Sequence, residues 1–134
     1  MTGARQFHIQ TNSTVQFLRL DSQIDQVIRE SGVKNGICVV FVPHTTAGVT
    51  INENADPDVV RDMVMELNKV IPAADGYRHS EGNSAAHIKS TLVGPSLSLI
   101  IENGRVIFGT WQSVYFCEFD GPRNRSVFIK VIEG

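Results

Sequence analysis

The chain has 134 residues, with 12 basic and 14 acidic side chains and a formal net charge of −2. That length supports one hydrophobic core and one domain, 1–134, and 42% hydrophobic with 19% charged residues excludes disorder and collagen-like repeats. The basic residues are scattered singly, no apolar run nears the roughly 20 residues of a membrane-spanning helix, and MTGARQFHIQ lacks a secretion-signal stretch, so neither nucleic acid nor membrane is expected as a partner and the cytoplasm is the expected location.

The first twenty residues alternate polar and apolar through Phe7, Ile9, Val15, Phe17, Leu18 and Leu20, which reads as two short strands in a hairpin around Thr11 to Ser13. Asp21 or Ser22 then caps a helix whose Ile24, Val27 and Ile28 share a face, and Gly32 stops it. Gly36 to Val42 (GICVVFV) is continuously apolar and rich in β-branched residues, which predicts a central strand covered on both faces. Asp56-Pro57 places an N-cap before proline at the first helical position, and Val59, Val60, Met63, Val64, Leu67, Val70 and Ile71 follow at helical spacing.

A polar, turn-rich loop from Pro72 to Asn83 leads into a short helix, with Ala85, Ile88 and Leu92 as its core-facing stripe and an end at Gly94-Pro95. The last forty residues read as successive strands: Leu97 to Glu102, a turn at Asn103-Gly104, Val106 to Phe108, Trp111 to Phe119, and Val127 to Ile132. About seven strands in mixed or antiparallel sheets with two to three helices make an α+β domain. Cys38 and Cys117 lie within apolar runs and read as small buried hydrophobes, with no CxxC motif.

Four histidines occur. His8 alternates within an edge-like strand and reads as structural, whereas His44 follows Pro43 where the central strand runs out, a position that is rigidly placed yet reachable. His79 and Glu81 are one residue apart, so an extended backbone points both the same way, as a ligand and its acid-base partner must. His87 lies one turn into the third helix, off its apolar stripe, where the helix dipole favours the neutral imidazole that coordinates metals. Together His44, His79 and His87 supply three nitrogen ligands with a fourth position open, the arrangement of catalytic zinc sites, although their spacing matches no compact signature such as HExxH.

Gly82-Asn83-Ser84 precedes the same helix, so its amides are expected to receive a phosphate, with Lys89 as counter-charge. Among the acidic residues before the second helix, Glu53 is the one that capping explains least. Gln112, Glu118 and Asp120 share one strand parity with Val114 and Phe116, and Arg123, after Gly121-Pro122, either pairs with those carboxylates or binds an anion.

The runs Pro43-His44-Thr45-Thr46-Ala47-Gly48 and Asn52-Glu53-Asn54-Ala55-Asp56-Pro57, then His79-Ser80-Glu81-Gly82-Asn83 with Ala86-His87-Ile88-Lys89, resemble the YjbQ-like (secondary thiamine-phosphate synthase) family. Gly109-Thr110-Trp111-Gln112 and Glu118-Phe119-Asp120-Gly121-Pro122-Arg123 extend that resemblance over nearly the whole chain. It implies a homotrimer with sites where motif residues of neighbouring subunits meet. It also implies thiamine-phosphate synthase activity, joining hydroxymethylpyrimidine diphosphate to thiazole phosphate with loss of diphosphate.

In that reading the histidines hold a divalent metal, zinc or, with a diphosphate substrate, magnesium. Lys89 and Arg123 steady the departing charge and Glu81 or Glu53 moves protons, while Thr45, Asn83, Ser84, Trp111, Gln112, Glu118 and Asp120 contact the bound group. The competing readings are a metal-dependent hydrolase of a phosphorylated or acyl molecule, and a non-catalytic trimer that binds a small ligand.

Overall fold

The computed structural model describes residues 3–134. Its elements are β1 (Arg5–Gln10), β2 (Gln16–Arg19), α1 (Asp21–Ser31), β3 (Gly36–Phe41), β4 (Ala47–Glu53), α2 (Pro57–Val70), α3 (Ser84–Val93), β5 (Ser96–Glu102), β6 (Arg105–Val106), β7 (Gln112–Glu118) and β8 (Asn124–Glu133). Eight strands form two antiparallel sheets, one in the order β1-β8-β3-β5-β6 and one in the order β2-β7-β4, giving the single α+β domain that the pattern of elements predicts. None of the helices in the described residues is long and apolar enough to cross a membrane.

The core lies between the sheets. Cys38, Val40, Leu99, Val127 and Ile129 face inward from the larger sheet and meet Val49, Val114 and Phe116 of the smaller one, joined by Leu20 and by Ile24, Val27 and Ile28 of α1. The opposite parity of β7 carries Tyr115, Cys117 and, just beyond it, Phe119, which pack with Ala86, Val60, Leu67 and Val93 under α2 and α3. A sheet, a second sheet and a helical layer are thus stacked in that order, and β7 is buried on both faces because it is the middle strand of the middle layer.

Several local expectations hold. Asp56 caps α2 by accepting from Asp58 N, Gly32 ends α1 in the left-handed conformation with φ 70°, and Asn103 (φ 54°) and Gly104 (φ 76°) form the β5–β6 turn. Four expectations are corrected. The first twenty residues form no hairpin, because β1 pairs with β8 while β2 pairs with β7 in the other sheet. β3 is central but covered on one face: Cys38 and Val40 are buried while Ile37 and Phe41 of the other parity are exposed. β4 is an additional strand, paired with β7 along its length. In α3 the buried positions are Ala85, Ala86, Lys89 and Ser90, whereas Ile88 and Leu92 are exposed, so the helix is rotated from the orientation its apolar stripe predicts.

The rotation of α3 follows from how closely it must approach β4. Ser90 Oγ donates to the Ala47 carbonyl at 2.6 Å, and an added Cβ at Gly48 would lie 2.7 Å from the Gly94 carbonyl oxygen. Small residues let backbone meet backbone here, and the larger Ile88 and Leu92 are turned outward.

Candidate functional site

The motif residues are linked by hydrogen bonds that run from between the sheets to the start of α3. Glu118 lies on the inward parity of β7, beside Val114 and Phe116, and is fully buried. Both its oxygens are engaged: Arg125 donates to each, Thr11 Oγ1 donates at 2.9 Å, and the Asp120 amide donates at 2.8 Å. Burial alone raises the Glu118 pKa, but the hydrogen bonds from Arg125, Asp120 and Thr11 outweigh it and hold the carboxyl below its ordinary value.

Arg125 also donates to the Thr46 carbonyl and hydroxyl. This arginine was not singled out in the sequence, yet the signal is there: Arg125 shares parity with Val127, Ile129 and Val131, and an arginine on a core-facing row requires a partner.

Asp120 carries the chain of bonds outward. Its Oδ2 accepts from Asn83 Nδ2 at 2.9 Å and from Arg123 at 3.0 Å, so Arg123 takes the pairing role. Asn83 is the N-cap residue of α3, and its Oδ1 is buried with no hydrogen-bond partner among the described residues.

On the inner side of α3, Lys89 is only 5% exposed. Its Nζ donates to Asn68 Oδ1 of α2 at 2.6 Å, and among the described residues it makes no ion pair. Burial lowers its pKa. Lys89, Asn68, Asn83 and Asp120 border a cleft of about 460 Å³ between α2, α3 and the end of β7, with Phe119 and Val64 among its apolar walls. Lys89 was expected as the counter-charge to a phosphate at Gly82-Asn83-Ser84, and it borders the same cleft as Gly82 and Asn83; its partner Asn68 was not anticipated.

The histidines are divided. His79 and His87 have ring centroids 5.5 Å apart at a near-perpendicular angle, and His79 Nε2 lies 3.6 Å from Glu81 Oε1. Tyr77, Arg78 and Ser84 complete a shallow concavity of about 350 Å³ around them. His87 and Lys89 are two positions apart on a helix, about 200° around its axis, so the histidine pair and the lysine cleft occupy different sides of α3.

His44 is held elsewhere. Its Nε2 accepts from the Ser126 amide of β8 at 2.9 Å, a bond that requires this nitrogen to be unprotonated and uses its lone pair. Burial, followed by the charge of Arg125, lowers its pKa. Among the described residues no group of three or more His, Cys, Asp or Glu side chains is placed to hold a metal ion. The expected metal centre of His44, His79 and His87 is therefore corrected.

The remaining candidates are spread out. Thr45 is exposed after β3. Glu53 ends β4, and its carbonyl accepts from Tyr115 Oη at 2.8 Å. Gln112 Oε1 accepts from the Gly109 amide at 2.8 Å, and Trp111 is exposed on that same loop.

The sequence profile of the family described as UPF0047 protein YjbQ-like matches residues 5–134. The UPF0047 protein YugU of Bacillus subtilis is 48% identical over 125 residues, covering 92% of this chain and 95% of that protein. A UPF0047 protein of Methanocaldococcus jannaschii is 50% identical, covering 94% and 91%.

The crystal structure of an uncharacterised YjbQ/UPF0047 protein from Clostridium acetobutylicum superposes with a TM-score of 0.94 at 53% identity, over 96% of this chain and 99% of that one. A protein of unknown function from Sulfolobus solfataricus gives 0.94 at 26% identity, over 100% and 99%. These descriptions give no support to thiamine-phosphate synthase activity, and with the histidines divided that expectation is withdrawn. By sequence over nearly its full length, the chain belongs to the UPF0047 YjbQ-like family.

Proposed function

We propose that the protein binds a small phosphorylated molecule in the cleft between α2 and α3, with Lys89 as the cation that receives the phosphate. The observation that carries this reading is the amino group of Lys89, buried without a carboxylate partner among the described residues. A buried charge is costly unless compensated. An ammonium has three donors, of which one goes to Asn68; the others suit phosphate oxygens. The Oδ1 of Asn83 on the same cleft, unpaired among the described residues, suits a hydroxyl or amino group of the ligand, and a space of about 460 Å³ fits a compact metabolite.

Calorimetric titration with inorganic phosphate and with small phosphorylated sugars tests it. The wild type should bind at least one of them, and Lys89→Met should remove that binding; equal affinity in both proteins would overturn the assignment.

A second reading, enzymatic proton transfer on a phosphorylated molecule, is favoured by the proximity of Glu81, His79 and His87. Phosphorus NMR of the protein incubated with phosphorylated small molecules tests it. A new phosphorus species that fails to form with His79→Asn supports catalysis, and binding without any new species leaves binding as the function.

Self-association as a homotrimer belongs to the same proposal. On the outer face of the larger sheet Ile37 lies opposite both Ile100 and Ile132, and Phe41 lies opposite Phe128. A contiguous apolar patch of this kind on a soluble domain marks a contact surface. A cytoplasmic setting suits the two thiols, Cys38 and Cys117, which are free and buried.

A further inference from the structure

A larger cavity, about 670 Å³, lies between α1, the β5–β6 turn and the start of β7. It is lined by different residues from the Lys89 cleft. Its wall is apolar where Val33, Val106 and Phe108 pack onto the core. Its rim is cationic, formed by Arg19, Arg29, Lys34 and Arg105.

The charges on this rim are unevenly spent. Arg19 pairs with Asp21 Oδ2 at 2.9 Å, and the other Asp21 oxygen accepts from the Val114 amide at 3.0 Å, so that carboxylate is fully used. Among the described residues Arg29, Lys34 and Arg105 have no carboxylate within ion-pair distance. Among the described residues lining the cavity, Asp25 is then the one carboxylate without an ion pair, alongside these three cations. Lys34 is drawn over the turn, with its Nζ 3.5 Å from where a Cβ would stand on Gly104, and the Gly104 amide donates to the Lys34 carbonyl at 2.9 Å. The cation is thereby placed at the mouth by the same turn that supplies the apolar wall.

An apolar wall beneath separated cations fits a ligand that is flat and apolar at one end and multiply anionic at the other. We propose that this cavity is a nucleotide site, with the heteroaromatic ring against Val106 and Phe108 and the phosphates on Arg29, Lys34 and Arg105. Arginine and lysine supply several donors to phosphate oxygens, and aromatic and aliphatic walls receive a base face. Asp25 faces the same space as an acceptor for a ribose hydroxyl or an exocyclic amine. A cavity of this size holds one nucleotide, and the net charge of −2 gives no basic track for a polynucleotide.

Isothermal titration of the full chain with adenosine triphosphate, inorganic tripolyphosphate and adenosine tests the proposal. Adenosine triphosphate should bind, and each of its two parts alone should bind at least about tenfold more weakly, because wall and rim are both needed. The exposed pair Arg29→Ala with Arg105→Ala should weaken the nucleotide by about tenfold or more at an unchanged melting temperature, with an affinity in the wild type that falls as salt rises. Lys89→Met should leave it unchanged, which separates this site from the phosphorylated-ligand cleft. Absence of nucleotide binding, tripolyphosphate binding as tightly as the nucleotide, an unaffected double variant, or loss of binding in Lys89→Met would each overturn the proposal.

Discussion

The carboxylate of Glu118 at the end of β7 and the guanidinium of Arg125 at the start of β8 meet between the two sheets, with side chains 0% and 3% exposed. The pair ties the layers together where the hydrophobic contacts end, and Thr11 and Thr46 satisfy its remaining groups. Replacing Glu118 with Gln leaves Arg125 buried without its counter-charge, which should cost about 3–5 kcal/mol. Urea unfolding at neutral pH measures this. Acid should act through the same pair. The folded pKa of Glu118 lies below its ordinary 4.5, so the unfolded chain binds more protons between the two values. Stability from this pair is present above about pH 4.5 and is lost as pH falls through the folded value. Glu118→Gln should lack that component, and an acid limb identical in both proteins would refute the coupling.

His44 gives a second, separable pH dependence. Its folded pKa is lowered from 6.5 by burial and then by Arg125, against the opposing pull of Glu118, and its Nε2 must stay unprotonated to accept from Ser126. The unfolded histidine takes up a proton first as pH falls below about 6.5, so the stability contributed by neutral His44 is full above that pH and declines beneath it. The stability difference between wild type and His44→Gln should shrink between about pH 7 and pH 5. A difference constant across that range would show that the ring is not held neutral.

The outer face of the larger sheet predicts an association phenotype. Ile37, Ile100 and Ile132 are between 46 and 60% exposed and neighbour one another across β3, β5 and β8. Ile100→Lys should convert a self-associated protein to a monomer in multi-angle light scattering while leaving the far-ultraviolet circular dichroism of the chain intact. Because Ile100 makes no core contact of its own, a variant that keeps the wild-type mass would show that another surface mediates assembly.

The sequence carries most of the element positions and little of the pairing. Asp56-Pro57 and Asn103-Gly104 are legible because local chemistry decides them. The β1–β8 and β2–β7 partners lie more than ninety residues apart, and nothing local distinguishes that arrangement from a hairpin at Thr11 to Ser13. The site fared similarly. The link from Asp120 to Asn83 and Arg123 lies within the recognised motifs. The division of the histidines was not legible, because it depends on α3 turning its small residues Ala85, Ala86 and Ser90 toward β4, against the direction its larger apolar residues suggest.

That rotation also sets the test that best distinguishes a functional Lys89 from a structural one. A lysine buried without a carboxylate is held in a state its lowered pKa marks as unfavourable for the charged form, so its retention costs the folded protein stability at neutral pH. Methionine has a similar unbranched stem and no charge, and it should fill the same space between α2 and α3. Lys89→Met is therefore expected to raise the melting temperature by about 2 °C or more while phosphate binding is lost, the inverse relation typical of groups kept for activity. A fall in melting temperature would instead mean that the hydrogen bond to Asn68 stabilises the packing of α2 on α3. Asn68→Ala supplies the check on that alternative: it removes the bond but keeps the charge, so it should destabilise the protein in either case, and only a functional Lys89 makes the two variants move in opposite directions.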